Sequence, residues 1–235
     1  AQEMLAKLKP DVVSVATGGF EYSSDHHGPT IQALRAGCHV LCEKPFAISS
    51  AEAQGVIDAA HGKGVKVTMA SKFRYVDDVI KAKQIVDSGI LGDIVLFDNA
   101  FTARVDMSKR WNSDPKVSGG GVLIDNGTHS VDIARYFLGP LAQVHVMEGR
   151  RGQNLKVEDT VQVFVRSERG AMGTIDLSWS INKELNRYMS VYGTQGTVIV
   201  GWKESKYRQS SSPDWVSFGT GYDKVGAFRN QILNF

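Results

Sequence analysis

The stretch Pro29-Thr-Ile-Gln-Ala-Leu-Arg-Ala-Gly-Cys-His-Val-Leu-Cys42 decides the fold of the first part of the chain. Pro29 suits the first turn of a helix that runs to Ala36, and Gly37 suits the residue that ends it. His39-Val-Leu-Cys42 then has the composition of a short buried strand. Because the upstream run Asp11-Val-Val-Ser-Val-Ala16 is also rich in β-branched residues, strand, helix and strand together predict one βαβ unit.

A second unit of the same kind follows. Ser49 and Glu52 form a capping-box pattern that opens a helix to about Lys63, and Gly64 ends it. Val65-Lys-Val-Thr-Met69 supplies a third strand. Two successive right-handed crossovers imply a parallel sheet, so residues 1–70 are predicted to form part of an α/β domain.

The pattern changes after Ala70. A helix from about Val76 to Asp87 is followed mainly by strands, some with the alternation of an antiparallel sheet that has one buried face. This predicts a second domain of α+β class over residues 71–235, with an open, mainly antiparallel sheet and helices on one face. The predicted strands are Ile94–Phe101, Val161–Val165, Ile175–Trp179, Tyr188–Tyr192 and Thr197–Val200.

The composition excludes several classes of protein. With 27 basic and 25 acidic residues and a formal net charge of +2, the chain has no electrostatic footprint for a polyanion, so no nucleic-acid partner is expected. No apolar run approaches the ~20 residues that cross a bilayer, and the first residues resemble no signal peptide. We therefore expect no membrane partner. Because the first residues read as the interior of a domain, any targeting segment is expected upstream.

Cys38 and Cys42 are the only cysteines. If both lie in or beside one strand, their Cα atoms are roughly 13 Å apart, which exceeds the reach of a disulfide. Two reduced cysteines without metal-spaced partners predict a cytoplasmic protein whose site holds no metal.

Glu43-Lys44-Pro45 is the first candidate for a functional site. It follows a predicted parallel strand, and ligands of open α/β sheets gather beyond the carboxyl ends of the strands. Lys44 is therefore expected to point into a binding crevice. Its position alone fits a surface lysine before a turn proline equally well.

Asp125-Asn-Gly-Thr-His129 is the second candidate. It follows the glycines at 119–121 and is predicted to open a helix that runs to Leu138. The spacing of four places Asp125 and His129 on one helix face, where the carboxylate can orient the imidazole or raise its basicity. In the alternative, Asp125 only caps the helix and His129 is a half-buried structural histidine. The three glycines favour a site, since they let backbone approach a ligand closely.

Together these residues resemble the Gfo/Idh/MocA family of nicotinamide-dependent oxidoreductases, named for glucose–fructose oxidoreductase and inositol dehydrogenase. The resemblance spans nearly the whole chain, through the order and spacing of four segments. It implies a Rossmann domain that holds NAD or NADP, and a sheet domain that binds a sugar, an inositol or a related polyol. The reaction implied is hydride transfer between the two. The segments are Val15–Thr17, Ala36–Pro45, Gly119–Asp132 and Gly193–Gly196.

The resemblance also implies roles for single residues. Lys44 would bind near the nicotinamide and the reacting hydroxyl, and Asp125 and His129 would form the acid–base pair. A neutral histidine suits the acceptance of the hydroxyl proton near neutral pH, and an ammonium stabilises the developing alkoxide without a metal. The other residues expected to contact the cofactor are Thr17, Gly18, His26 and Glu43, with Glu43 also supporting the lysine.

Three further residues are expected to contact the substrate. Arg74 lies at the domain junction, Trp111 lies in the loop before the glycines, and Asn126 follows Asp125. A sugar ring stacked on an aromatic side chain among polar neighbours is a common arrangement.

The chain also departs from the family pattern. The G-x-G-x-x-G phosphate loop is absent, and so is the residue that selects between the two dinucleotides. Phe228–Phe235 looks like the start of a longer helix. We therefore expect that this polypeptide lacks parts of both domains and, alone, binds dinucleotide weakly or not at all, because pyrophosphate needs the absent loop.

Two other functions stay open at this stage. Some members of the family cleave glycosidic bonds through transient oxidation by bound dinucleotide, and others are non-catalytic regulators that sense dinucleotides or sugars. Intact Lys44, Asp125 and His129 disfavour the regulator, although fold analogy alone does not exclude it. A broad sheet with an exposed face also suggests a homo-oligomer, a dimer or tetramer by analogy with the family.

Overall fold

A computed structural model describes residues 1–18 and 25–235, which form two sheets. The first sheet has three parallel strands in the order β1-β2-β3, as the two βαβ units predict. Its elements in chain order are α1 (Gln2–Leu8), β1 (Val12–Val15), α2 (His27–Arg35), β2 (His39–Cys42), α3 (Ser50–Lys63) and β3 (Val67–Met69).

Local signals in the sequence account for the ends of α3. The Ser49 side chain accepts a hydrogen bond from the Glu52 backbone N–H at 3.2 Å, and the Glu52 carboxylate accepts one from Ile48 N–H at 3.2 Å. These bonds satisfy N–H groups that a helix start leaves unpaired. At the other end Gly64 adopts a left-handed conformation with φ of 65°, which glycine adopts without strain.

The second sheet has eight strands in the order β11-β10-β9-β8-β4-β7-β6-β5. Within the described residues its pairs are antiparallel except for β4 with β7, which is parallel. The predicted class, a parallel α/β sheet followed by a mainly antiparallel sheet with helices, is confirmed. The elements are α4 (Asp77–Asp87), β4 (Ile94–Thr102), α5 (Pro115–Ser118), α6 (Val122–Asp125), α7 (Gly127–Leu138), β5 (Leu141–Glu148), β6 (Thr160–Ser167), β7 (Met172–Ser178), β8 (Arg187–Gly193), β9 (Gly196–Gly201), β10 (Ser205–Gln209), β11 (Val216–Gly219) and α8 (Lys224–Asn234).

One face of this sheet is covered and the other is open. In β6 the residues Val161, Val163 and Val165 are buried, while Phe164 between them is exposed, as a two-residue period requires. The buried face packs against α7 through Ile133 and its neighbours. The apolar side chains exposed at the open face include Leu96, Phe164 and Met172.

The helix predicted to begin at Asp125 begins earlier. The single turn α6 ends at Asp125 and α7 begins at Gly127, with Asn126 between them at helical dihedral angles. Asn126 belongs to both segments, because its N–H donates to Val122 O at 2.9 Å and its carbonyl accepts from Ser130 N–H at 3.2 Å.

The strands β5, β10 and β11 were not predicted. Almost all of β5 is exposed, so burial imposes no two-residue pattern on its sequence.

Among the helices in the described part of the chain, none is both long and apolar enough to cross a bilayer.

Candidate active site

Lys44 lies just beyond the carboxyl end of β2, the middle strand of the first sheet. The strand end is held from both sides, by Glu43 N–H donating to Val15 O at 2.8 Å and Ala70 N–H donating to Cys42 O at 2.7 Å. After it the Lys44–Pro45 peptide is cis, and the Pro45 carbonyl lies 2.7 Å from His26 Nδ1. Because a carbonyl oxygen only accepts, the buried His26 ring carries its proton on Nδ1. These contacts fix the direction of the lysine.

The Lys44 ammonium is bound by Asp125 at the end of α6. Its Nζ donates to the Asp125 carboxylate and, at 3.1 Å, to the Asp125 backbone carbonyl. The two side chains are 21% and 24% exposed, so the pair is accessible from solvent but partly shielded, which strengthens the attraction. This ion pair joins the first sheet to the helices that cover the second.

His129 lies on α7 and is 8% exposed. Its ring packs edge-on against Phe73, with 5.1 Å between ring centroids. Burial lowers the pKa of His129 to about 3, assisted by the positive charges of Lys44 and Lys72. The imidazole is therefore neutral at physiological pH, the form in which it can accept a proton.

The expected contact between Asp125 and His129 is not made. Within residues 1–18 and 25–235, no hydrogen bond joins the carboxylate to the imidazole, because the carboxylate turns to Lys44 instead. In this structure Asp125 holds the lysine, and Lys44 is the charged group that acts on the histidine.

A cleft of about 240 Å³ opens where β1 and β2 end. It brings together the cofactor candidates Thr17, Gly18, His26, Glu43 and Lys44, and it also includes Asp125 and Trp111. Thr17 is fixed by a hydrogen bond from its hydroxyl to Asp25 O at 2.7 Å, and the Glu43 carboxylate accepts from Lys44 N–H at 3.2 Å. This is the position that the rule for open α/β sheets assigns to a nucleotide.

Glycines close the opposite wall of the cleft. Gly120 and Gly121 line it, as their flexibility led us to expect, but the structure gives Gly121 a further reason. A Cβ on Gly121 would lie 2.0 Å from the Glu158 carbonyl oxygen. Close packing against the chain itself therefore requires glycine there, independently of any ligand.

Two of the predicted substrate contacts lie outside this cleft. Arg74 donates from Nε and Nη2 to the two carboxylate oxygens of Asp132, and its guanidinium lies 5.0 Å from the centroid of the Tyr136 ring. It lines a separate groove with Thr128. Asn126 is partly exposed between α6 and α7 and is not among the residues described as lining the cleft.

The sequence analysis missed Lys72, which lies near the site. It opens the short turn Lys72–Tyr75 after β3, and its charge acts on His129. Burial lowers the pKa of Lys72, with further lowering by Lys224 and Lys44. The rule that singled out Lys44, a lysine just beyond a parallel strand, also applies to Lys72 after β3.

The donors and acceptors around the cleft suit one end of a dinucleotide. A backbone stretch at Thr17 and Gly18, a buried histidine and the Lys44 ammonium surround a space large enough for a ring and its amide. The glycine-rich loop that would hold the pyrophosphate is not in the sequence. The residues present therefore fit the nicotinamide end.

A parallel α/β sheet with a cleft at its carboxyl ends, followed by a mostly antiparallel open sheet, is an arrangement in which the first sheet typically binds a nucleotide. Comparison of the sequence with known families gives the same arrangement of two parts. Residues 1–71 match the oxidoreductase family with an NAD-binding Rossmann fold, and residues 79–199 match the GFO/IDH/MocA C-terminal domain. The chain belongs to the GFO/IDH/MocA family, as its motifs suggested.

Individual relatives have names that refer to sugar oxidation. The levoglucosan dehydrogenase of Pseudarthrobacter phenanthrenivorans is 26% identical over 208 residues, which are 76% of this chain and 53% of the relative. The D-glucoside 3-dehydrogenase of Escherichia coli is 36% identical over 140 residues, which are 59% of this chain and 38% of the relative. The chain thus spans about half the length, or less, of these curated relatives.

A solved structure has the same fold. The NAD binding oxidoreductase from Klebsiella pneumoniae superimposes with a TM-score of 0.85 at 23% identity, over 99% of this chain and 71% of that one. At this identity the likeness shows the fold alone.

Proposed function

We propose that the protein to which this chain belongs is a dehydrogenase that transfers a hydride between NAD or NADP and a hydroxyl-bearing carbon. The carbon would belong to a sugar, an inositol or a related polyol. The observation that carries the proposal is the meeting of Lys44 and Asp125 in the cleft, beside a neutral His129. An ammonium and a neutral imidazole are the groups that oxidation of an alcohol requires.

The family supports this chemistry, since the first domain matches an NAD-binding Rossmann fold. The names of the two relatives, a levoglucosan dehydrogenase and a D-glucoside 3-dehydrogenase, favour a sugar.

In the proposed reaction each residue has one task. Thr17, Gly18, His26 and Glu43 would hold the nicotinamide end next to Lys44, and the cofactor, when bound, accepts the hydride. His129 takes the hydroxyl proton, while the Lys44 ammonium donates a hydrogen bond to the oxygen as it gains negative charge. Asp125 holds the ammonium in a fixed direction.

The substrate would enter beside the cleft. Trp111 lies on its wall and offers a flat apolar surface on which a sugar ring can stack. Arg74 would contact substrate only after leaving Asp132, which binds its guanidinium.

The test is a screen of sugars and polyols with both dinucleotides, using the complete protein and following nicotinamide absorbance. With a substrate in hand, Lys44→Met and His129→Asn are each expected to lower turnover by at least about a hundredfold. Lys63→Met, which removes the same charge from the exposed end of α3, serves as the control and should keep full turnover. Unchanged turnover in Lys44→Met would refute the assignment.

The same screen distinguishes the dehydrogenase from the two alternative functions. Release of a sugar from a glycoside without net reduction of the dinucleotide would identify a glycosidase that uses transient oxidation. Binding of sugar and dinucleotide without either reaction would identify a regulator.

We further propose that the chain consists of two functional units, residues 1–70 for the cofactor and 71–235 for the substrate.

We also propose that two copies of the chain associate through the open sheet face. Leu96 is 42% and Met172 is 52% exposed there, and the two lie side by side on β4 and β7. A contiguous apolar surface of this kind favours association. Light scattering should give a dimer or larger oligomer, and Met172→Lys should shift it towards the monomer. The two free, buried cysteines favour a cytoplasmic location.

A further inference from the structure

Lys72 is a partly buried ammonium without a counter-ion. Its Nζ lies 5.3 Å from the centroid of the Phe73 ring and 5.7 Å from that of Phe228. Across the parts of the chain that the structure describes, it has neither an ion-pair partner nor a hydrogen-bond acceptor. Lys44, the other lysine of the site, is bound by Asp125.

Lys72 lies on the substrate side of the proposed active site. The Phe73 ring that it covers also packs against the His129 ring, with 5.1 Å between centroids. The charges of both Lys72 and Lys44 act on His129, and Lys224 at the start of α8 acts on Lys72. Lys72 does not line the cleft assigned to the cofactor.

The charges around His129 do not balance. The carboxylates that act on Lys72 are Glu43 and Asp125. Asp125 is occupied by the Lys44 ammonium, and Glu43 accepts from the Lys44 N–H group. The Lys44 backbone N–H carries no net charge, so both carboxylates still count. Around Lys72, three ammonium groups (Lys44, Lys72 and Lys224) therefore face two carboxylates, which leaves one positive charge in excess.

An unpaired, half-buried ammonium is unfavourable in the free protein, because burial removes part of its hydration. Aromatic faces offset only part of this loss. A bound anion would satisfy the ammonium and also relieve its repulsion from Lys44. The Phe73 ring contacts both Lys72 and His129, so the distance from the ammonium to the imidazole is one that a hexuronic acid can span.

We propose that Lys72 is a specificity-determining residue that binds the carboxylate of an acidic sugar, a uronic or aldonic acid, whose hydroxyl-bearing carbon is oxidised at Lys44 and His129. This inference rests on the proposed dehydrogenase function and names its substrate class. The carboxylate accepts charge-assisted hydrogen bonds from the ammonium, and the hydroxyl points to the imidazole.

The carboxylate would also assist the chemistry. Lys72 is one of the groups that lower the pKa of His129. An anion on Lys72 offsets that charge and makes the imidazole a better proton acceptor in the complex than in the free protein. Acidic substrates would thus gain both in binding and in turnover.

The test compares matched sugars in the complete protein, D-glucuronate against D-glucose and D-galacturonate against D-galactose. The acid of each pair is expected to have the higher kcat/KM, by about tenfold to a hundredfold, as one charged hydrogen bond supplies. Lys72→Met should abolish this preference, and Lys72→Arg should keep most of it. Lys63→Met, with the same loss of charge at a distance, should leave the preference unchanged.

Two further measurements keep the inference separate from the function on which it rests. Binding of D-glucuronate, followed by saturation-transfer NMR, should weaken in Lys72→Met even if no sugar is oxidised. That result would uphold the role of Lys72 while the dehydrogenase proposal fails. The KM for the dinucleotide should not change, whereas an increase with an unaltered preference would show that Lys72 serves the cofactor phosphates instead.

The inference is overturned by equal kcat/KM for acid and neutral sugars in the wild type, or by a preference that survives in Lys72→Met. It is also overturned if D-glucuronate binds neither protein. Circular dichroism of each variant identifies a loss of folding, in which case Lys72→Gln replaces Lys72→Met in the comparison.

Discussion

The buried, neutral state of His129 should make the stability of the protein depend on pH. In the unfolded chain the imidazole has an ordinary pKa of 6.5, and in the folded protein burial and the charges of Lys44 and Lys72 lower it to about 3. Between these values the unfolded state binds the proton and the folded state does not. The stabilising effect of a neutral His129 is therefore complete above pH 6.5 and is lost progressively as the pH falls towards 3.

The size of the effect follows from the two pKa values. At about pH 5 the unfolded imidazole is about 1.5 pH units below its pKa, and each unit corresponds to about 1.4 kcal/mol, so folding loses roughly 2 kcal/mol relative to about pH 8. His129→Gln removes the titrating group but keeps a polar side chain of similar size. Between about pH 8 and about pH 5, the unfolding free energy of the wild type should therefore fall by roughly 2 kcal/mol more than that of His129→Gln.

Urea denaturation of both proteins at the two pH values measures this difference. The other histidines are present in both proteins, so their contributions cancel. A parallel NMR titration should show the His129 Cε1 proton unchanged down to about pH 5. The reasoning is refuted if the difference is the same at both pH values, or if the His129 resonance titrates near pH 6.5.

Three smaller predictions follow from individual contacts. Gly121→Ala should destabilise the protein by about 1–3 kcal/mol or more, because its Cβ would lie 2.0 Å from Glu158 O. Gly55→Ala on α3 meets open space and should stabilise the protein by roughly 0.5–1 kcal/mol. Thermal melts that rank the two variants otherwise would contradict this. Ser49→Ala removes the cap of α3, and a loss of about 1 kcal/mol in urea unfolding is expected. Burial raises the pKa of the Cys42 thiol to about 11, so iodoacetamide at neutral pH should label this cysteine only after unfolding.

The position of Lys44 could be predicted because it depends on local signals. Alternating strands and helices place parallel strands side by side, and the carboxyl ends of these strands meet at one edge of the sheet. The sequence from Pro29 to Lys44 contains the whole signal, including the glycine that ends α2. The same holds for α3, with a cap at each end. By contrast β5, β10 and β11 lack a buried face with regular alternation, so little in their sequences marks them as strands.

The partner of Asp125 could not be predicted from spacing. Asp125 and His129 are four positions apart in the sequence, which made a contact between them the natural expectation. The structure offers Asp125 a partner that is 81 residues away in the chain, and an ammonium attracts a carboxylate more strongly than a neutral imidazole does. Lys72 was missed for a related reason, since its role depends on Phe73 and on Phe228 from the far end of the chain.

The pairing of Lys44 with Asp125 explains how one site combines a charged lysine with an uncharged histidine. If the carboxylate were bonded to His129, it would favour the imidazolium, which has no capacity to accept a proton. Bonded to Lys44, the same carboxylate stabilises the ammonium, whose charge then disfavours a proton on His129. Burial is the main cause of the neutral imidazole, and the turn of Asp125 towards Lys44 keeps a carboxylate from opposing it. Lys44 comes from the edge of the first sheet and Asp125 from the helices over the second. This arrangement therefore exists only when the two parts of the chain are folded against each other.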